Sequence, residues 1–248
     1  MNDVKMGILQ RIIKLFVSPI ELMHSIKISP VVWQPLLLAL ALGLSVIPFS
    51  DQLMNIASRE LTNWSIERHG VDLVGQPIQT DIYGDDADNA TDVFAVVTFV
   101  VSSFLSPLAG SFFATLLLWL ISKIAKGKAS FGQLFSMYMH IWIIRLVGTF
   151  VVSGLIVATD NFLDLTSLAA VFMPQGNSSM IAFNVLSSIS IFSVWFAILA
   201  FLGIKVINEF SNIKAGIIAA IVFSLDIALF VGLSIFPYIM LDLYAQTL

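Results

Sequence analysis

The chain is predicted to be an all-α, polytopic membrane protein: a bundle of five transmembrane helices preceded by amphipathic interfacial helices. Three features predict this. Hydrophobic residues make up 58% of the sequence and charged residues 11%, against roughly 25% charged in soluble domains. Mean hydropathy is +0.95, so lipid must solvate much of the surface. Most of the charges that remain fall between apolar stretches of span length, and lysine and arginine gather between alternate stretches.

The N-terminal region, 1–30, reads as cytosolic helices. Ile8, Leu9, Ile12, Ile13 and Phe16 share one face, and Arg11 and Lys14 fall on the other. That spacing suits a helix lying in the interface. Gln10, Arg11 and Lys14 interrupt the apolar run and no small-residue cleavage site follows it, so a cleaved signal peptide is not expected. Ser18, Pro19 and Glu21 form a capping-box pattern that opens a second helix, stopping before Pro30. This hairpin is either an anchor or a docking surface for a protein partner.

The first span is predicted at 31–49, uncharged, with Trp33 at its inner interface. An acidic outer loop follows at 50–92, helix-like up to His69 and then carrying Asp81, Asp85, Asp86, Asp88 and Asp92. These aspartates lack the turn glycine and terminal glutamate of a calcium loop, so a solvated acidic loop is expected and no metal. The second span, 93–122, contains Pro107 and Gly110, which imply a kink. Lys123, Lys126 and Lys128 mark the return to the inner side. Ser130 and Gln133 are spaced as a capping box opening the third span, 131–158. An outer segment with Asp160 and Asp164 contains a short apolar piece at 165–173, read as interfacial or re-entrant. The fourth span is predicted at 181–205, and a short inner turn with Asn208, Glu209 and Lys214 leads to the fifth at 215–240.

Five spans place the termini on opposite sides. With the N-terminus in the cytosol, Lys5, Arg11, Lys14, Lys27 and the lysines of both inner turns face inward, and Arg59 and Arg68 face outward. That is the positive-inside pattern. The net charge of -4 therefore describes no single partner; the inner lysines suit anionic lipid headgroups. Sequons at Asn63, Asn89 and Asn177 all fall outside.

Arg145 and Asp226 are the charges well inside spans. Each lies eleven residues past its span's inner start, at Leu134 and Ala215, or about 16 Å deep. Equal depth and opposite sign predict a salt bridge. It either fixes helix register or forms a polar centre for transport. His140 is placed to join that centre, and Asn184, Ser187 and Ser188 to line its cavity or serve helix packing. No HExxH, GxSxG or Walker loop occurs, and the chain has no cysteine, so no catalytic residues, cofactor or thiolate chemistry are expected. The basic residues are too dispersed for nucleic acid.

Several stretches together resemble the YIP domain family, membrane proteins named for interacting with Ypt/Rab GTPases, in its bacterial form. They are the Ser18-Pro19 helix break, Trp33-x-Pro35, the lysine-rich turn leading to ASFGQLFSMYMHI, and FSVWFAILAFLGIKVINEFSNIKAGIIAAI with Gly203-x-Lys205. The resemblance implies a five-span bundle with a cytosolic N-terminus in the bacterial inner membrane, the C-terminus outside, and no assigned reaction. In eukaryotes the family is tied to vesicle trafficking; the long 50–92 loop departs from those compact members. The expected role is non-enzymatic, organising the membrane or recruiting a partner. The alternative is a carrier or channel for a small solute, ion or lipid through the Arg145–Asp226 centre.

Overall fold

The structure, a computed structural model, describes residues 6–45, 52–53, 56, 108–160, 165–172 and 180–245. Most of the 50–92 loop, the part of the second span before Leu108, Arg59, Arg68, Asp164 and the three sequons lie outside the described residues. Nine helices are named here: α1 Ile8–Val17, α2 Pro19–Ile28, α3 Trp33–Leu44, α4 Leu108–Ile124, α5 Phe131–Thr159, α6 Leu168–Phe172, α7 Met180–Ser188, α8 Ile191–Asn208 and α9 Asn212–Ala245. Among the described residues there is no strand, and one isolated bridge joins Ser167 and Ser190. Among the described residues, three helices are long and apolar enough to cross a membrane: Phe131–Thr159, Ile191–Asn208 and the Asn212–Leu229 part of α9. α3 and α4 are shorter apolar helices.

α5 is the axis of the bundle. The Ser130 hydroxyl accepts the Gln133 N–H at 3.3 Å, and the Gln133 side chain accepts the Ser130 N–H at 2.8 Å, so the capping box fixes where the helix begins. From Ser136 to Ile144 every residue is buried. Leu134, Met137 and Ile141 join Phe196, Leu199 and Ile204 of α8 in the main core. α8 in turn packs against α9, and α3 against α5. On the α4 side, the Phe131 ring is stacked on Phe135 at 5.8 Å and meets Phe112 edge-on at 5.4 Å. Gly203 permits the closest approach: a Cβ there would come within 2.3 Å of the Met137 Sδ.

The N-terminal hairpin is part of this core. Leu15 of α1 and Leu22, Met23 and Ile26 of α2 are fully buried against α5 and α8. The face of α1 read as polar is therefore turned inward, and Arg11 is 2% exposed rather than solvated. Its Nη2 donates to the Ser29 carbonyl at 2.9 Å and its Nε to the Met6 carbonyl at 3.3 Å. The outward face is the apolar one. Arg11 is turned inward because the carbonyls at Ser29 and Met6 give its guanidinium partners there. The start of α2 matches its capping pattern, but the Ser18 side chain caps no N–H; Glu21 instead pairs with Lys14, which with the Ser18 hydroxyl holds its carboxyl below the usual range.

The predicted fourth span, 181–205, is not one helix. It breaks between Ser188 and Ile191. Ser187, Ser188, Ser190 and Ser193 compete with the helical ladder for backbone groups. Ser190 instead caps α8: its hydroxyl accepts the Ser193 N–H at 3.2 Å and its own N–H donates to the Ser193 hydroxyl at 2.8 Å. The freed backbone at the break is satisfied by the segment before α6. Leu168 N–H donates to the Ile189 carbonyl at 2.9 Å, and Ile191 N–H to the Thr166 carbonyl at 3.2 Å.

Candidate functional site

Arg145 sits at the middle of α5, fourteen residues from Phe131 and fourteen from Thr159, or about 21 Å from either end. Asp226 sits fourteen residues into α9, at the matching depth. The two are joined as a fork. Arg145 Nη1 donates to Asp226 Oδ1 at 3.2 Å and Nη2 donates to Oδ2. Two parallel bonds fix the relative rotation of both helices, which a lysine could not do. The guanidinium also lies 4.3 Å above the Phe196 ring, which forms a T-shaped pair with Tyr138 at 5.6 Å. Arg145 Nε is buried with no hydrogen-bond partner.

Beside the pair is a cavity of about 280 Å³. α5 supplies Arg145, Gly148, Thr149, Val152 and Ser153 to its wall. These are positions i, i+3, i+4, i+7 and i+8 of one helical face. The break supplies Ser187, Ser188 and Ser190, and the first turn of α8 supplies Phe192 and Ser193. Asp226 and Ile227 complete it. Gly148 lets Phe192 approach: a Cβ there would lie 2.7 Å from the Phe192 Cγ. Several hydroxyl protons are already committed. Thr149 Oγ1 donates to the Arg145 carbonyl at 3.0 Å and Ser188 Oγ to the Val185 carbonyl at 2.7 Å, so both oxygens are left as acceptors.

Among the residues singled out from sequence, the structure brings together Arg145, Asp226, Ser187 and Ser188. Asn184 lies one turn earlier on α7, half-buried and off the cavity wall. His140 does not join the centre. It precedes Arg145 by five residues, which turns it roughly 140° around the helix. It is buried on that other face, with Nδ1 2.7 Å from the Ser136 carbonyl. Thr149, Ser153, Ser190 and Ser193 were not singled out. The four- and eight-residue spacing of Thr149 and Ser153 from Arg145 is the signal that would have found the first two.

A second polar cluster closes the lysine-bearing end of the bundle. Glu209 ends α8 in the left-handed conformation, φ 58°. Its carboxylate takes Lys27 Nζ at 2.6 Å and Lys128 Nζ at 2.5 Å, one from α2 and one from the turn before α5. Those two ammonium groups, Lys128 foremost, hold the Glu209 carboxyl down to about 2. Next to it, buried Asn208 accepts the Ala129 N–H at 3.3 Å, and Gln133 Nε2 donates to the Lys27 carbonyl at 2.7 Å. Lys214 donates to the Ala125 carbonyl and lies 4.5 Å over the Phe210 ring. The hairpin is thereby tied to both turns at this end. Among the described residues no cluster of histidine, aspartate and glutamate could hold a metal ion.

No solved structure matches the chain. The chain is 25% identical over 210 residues to a Bacillus subtilis (strain 168) protein named membrane protein YknW, covering 83% of this chain and 81% of that one. The Yip1 domain family matches residues 13–240, and the chain, an all-helical membrane protein, belongs to that family.

Proposed function

We propose that this is a non-enzymatic protein that organises the membrane, by holding a rigid apolar wedge in one leaflet. The observation that carries this is the orientation of the N-terminal hairpin. Leu9 is 67% exposed and Val17 77%, and Ile13, Phe16, Ile20 and Ile28 are exposed with them. Yet the same hairpin is fixed to the bundle through buried Leu15, Leu22 and Met23, through the Lys27 carbonyl on Gln133 Nε2, and through the Lys27 ammonium on Glu209. A helix tethered this firmly cannot fold its apolar side away. In an interface that side enters the acyl boundary, and the exposed Lys123 and Lys126 of the turn before α5 meet anionic headgroups.

The wedge belongs to the cytosolic leaflet of the bacterial inner membrane, within a five-span topology that leaves the C-terminus outside. The positive-inside sorting of lysine supports that orientation. Anionic lipid is the partner this surface fits best; a protein recruited to the hairpin is the competing occupant.

The chain has no cysteine, so Leu9→Cys introduces a single labelling site. The full chain, labelled there and reconstituted in phosphatidylglycerol vesicles, is expected to be quenched by spin-labelled lipid near the headgroup and shielded from aqueous iodide. Quenching by iodide with no effect of the lipid quencher would exclude the wedge.

A further inference from the structure

The Arg145 and Asp226 side chains are 31% and 21% exposed, although both lie about 21 Å from the start of their helices. Hydrocarbon cannot solvate the open part of either charge. What they open onto is the cavity of about 280 Å³ walled by hydroxyls from Thr149, Ser153, Ser187 and Ser190. The wall is mostly apolar, with the ion pair and the serine and threonine residues as its polar patch, so a ligand with charged groups at the patch satisfies what a lipid tail cannot.

The chemistry of the wall selects among ligands. A simple anion that drew Arg145 away would leave Asp226 an unpaired charge, and a simple cation drawn to Asp226 would leave Arg145 unpaired. Either outcome costs several kcal/mol in a low dielectric. A molecule carrying both charges replaces each partner as it separates them. The cavity is furnished for both ends. The Arg145 guanidinium lies on the wall, and the first turn of α8 adds the positive end of an 18-residue helix there. Thr149 and Ser188 have their protons on backbone carbonyls and offer acceptor oxygens to an ammonium group.

We propose that this cavity binds a small zwitterion, its anionic group on Arg145 and its cationic nitrogen on Asp226 with the Thr149 and Ser188 oxygens. A zwitterionic lipid headgroup and a free zwitterionic solute share this chemistry. Binding exchanges one ion pair for two and forms no covalent bond.

The test uses the full chain in phosphatidylglycerol nanodiscs. Its melting temperature is read with glycerophosphoethanolamine, glycine, ethanolamine alone and dimethyl phosphate alone. At least one of the two zwitterions is expected to raise Tm by about 5 °C near saturation, and neither half-ligand by more than a small part of that. Ser153→Leu, which fills the cavity and leaves the ion pair, is expected to abolish the shift relative to its own unliganded Tm. The paired Arg145→Gln, Asp226→Asn variant is expected to abolish it as well, so the proposal remains testable if one variant fails to fold. Repetition in phosphatidylethanolamine nanodiscs separates the sources. Loss of the glycerophosphoethanolamine shift there marks the headgroup as ligand, because the lipid already fills the site; an equal shift in both membranes marks a free solute. No shift with either zwitterion, an equal shift with a half-ligand, or a shift that survives Ser153→Leu overturns the proposal.

Discussion

At the scale of single residues, the Arg145–Asp226 fork dominates because its cost is asymmetric. Removing one partner leaves the other charged at mid-span, which costs from about 3 kcal/mol upward. Arg145→Ala and Asp226→Ala are each expected to reduce membrane abundance and thermal stability by that order. The exchange Arg145→Asp with Asp226→Arg is expected to recover most of the loss, and a swap no better than the singles would show that the fork's local surroundings, not its pairing, set stability. Gly203 is the other sensitive position. A Cβ would sit 2.3 Å from the Met137 Sδ and 3.1 Å from the Met23 Sδ, so three helices meet over a single hydrogen atom. Methionine ends can yield, so Gly203→Ala is expected to cost about 1–2 kcal/mol and Gly203→Leu more, as overpacking. Denaturation in detergent, read by circular dichroism, measures both.

Elements differ in how openly their sequences declare them. The start of α5 is legible because a capping box is local chemistry: Ser130 and Gln133 need only each other. The Arg145–Asp226 contact is legible because equal depth on two spans is simple counting. The inward turn of Arg11 is not. Periodicity says which residues of α1 share a face, but which face turns to the bundle depends on partners that periodicity does not show, here the Ser29 and Met6 carbonyls. The break before α8 is hidden for a different reason. Ile189 and Ile191 keep the local hydropathy high while Ser188 and Ser190 dismantle the ladder, and a window average sees only the isoleucines. Ser190→Ala removes the α8 cap and is expected to destabilise by about 1 kcal/mol, detectable as faster amide exchange at Val194 and its neighbours. The hairpin carries its own prediction. Glu209 has a carboxyl held at about 2 instead of its ordinary 4.5 by Lys128 and Lys27. A depressed carboxylate stabilises above the ordinary value and loses that contribution as pH falls toward the folded value. The latch is therefore intact at neutral pH and released between roughly pH 4.5 and 2, and Glu209→Gln is expected to release it at all pH. Protease access to the α1–α2 region at pH 7, compared between Glu209→Gln and the unsubstituted chain, reads this directly.

On the scale of the whole molecule, both polar clusters lie on the helices that carry the core, and they divide the bundle. At the lysine-bearing end, Glu209, Asn208, Gln133 and Lys214 tie the hairpin and two turns into one rigid cap. Halfway along, α5 and α9 are joined by a fork beside a cavity, and α8 begins only there. The tight half and the open half follow from the sequence's own distribution of small polar residues: serines gather at 187–193, and the lysine-bearing end is closed by long side chains. This polarity makes membrane orientation decisive, since it determines which leaflet meets the wedge and which half of the bilayer holds the cavity. The proposed five-span, positive-inside topology would assign the wedge to the cytosolic leaflet and the cavity to the middle and outer half. Asp3→Cys and Thr247→Cys test it, each against a chain that contributes no cysteine of its own. In sealed inside-out vesicles a membrane-impermeant maleimide is expected to label position 3 and spare position 247; in right-side-out spheroplasts the pattern reverses. Labelling of both from one side requires an even number of crossings and would move either the wedge or the C-terminus to the opposite leaflet.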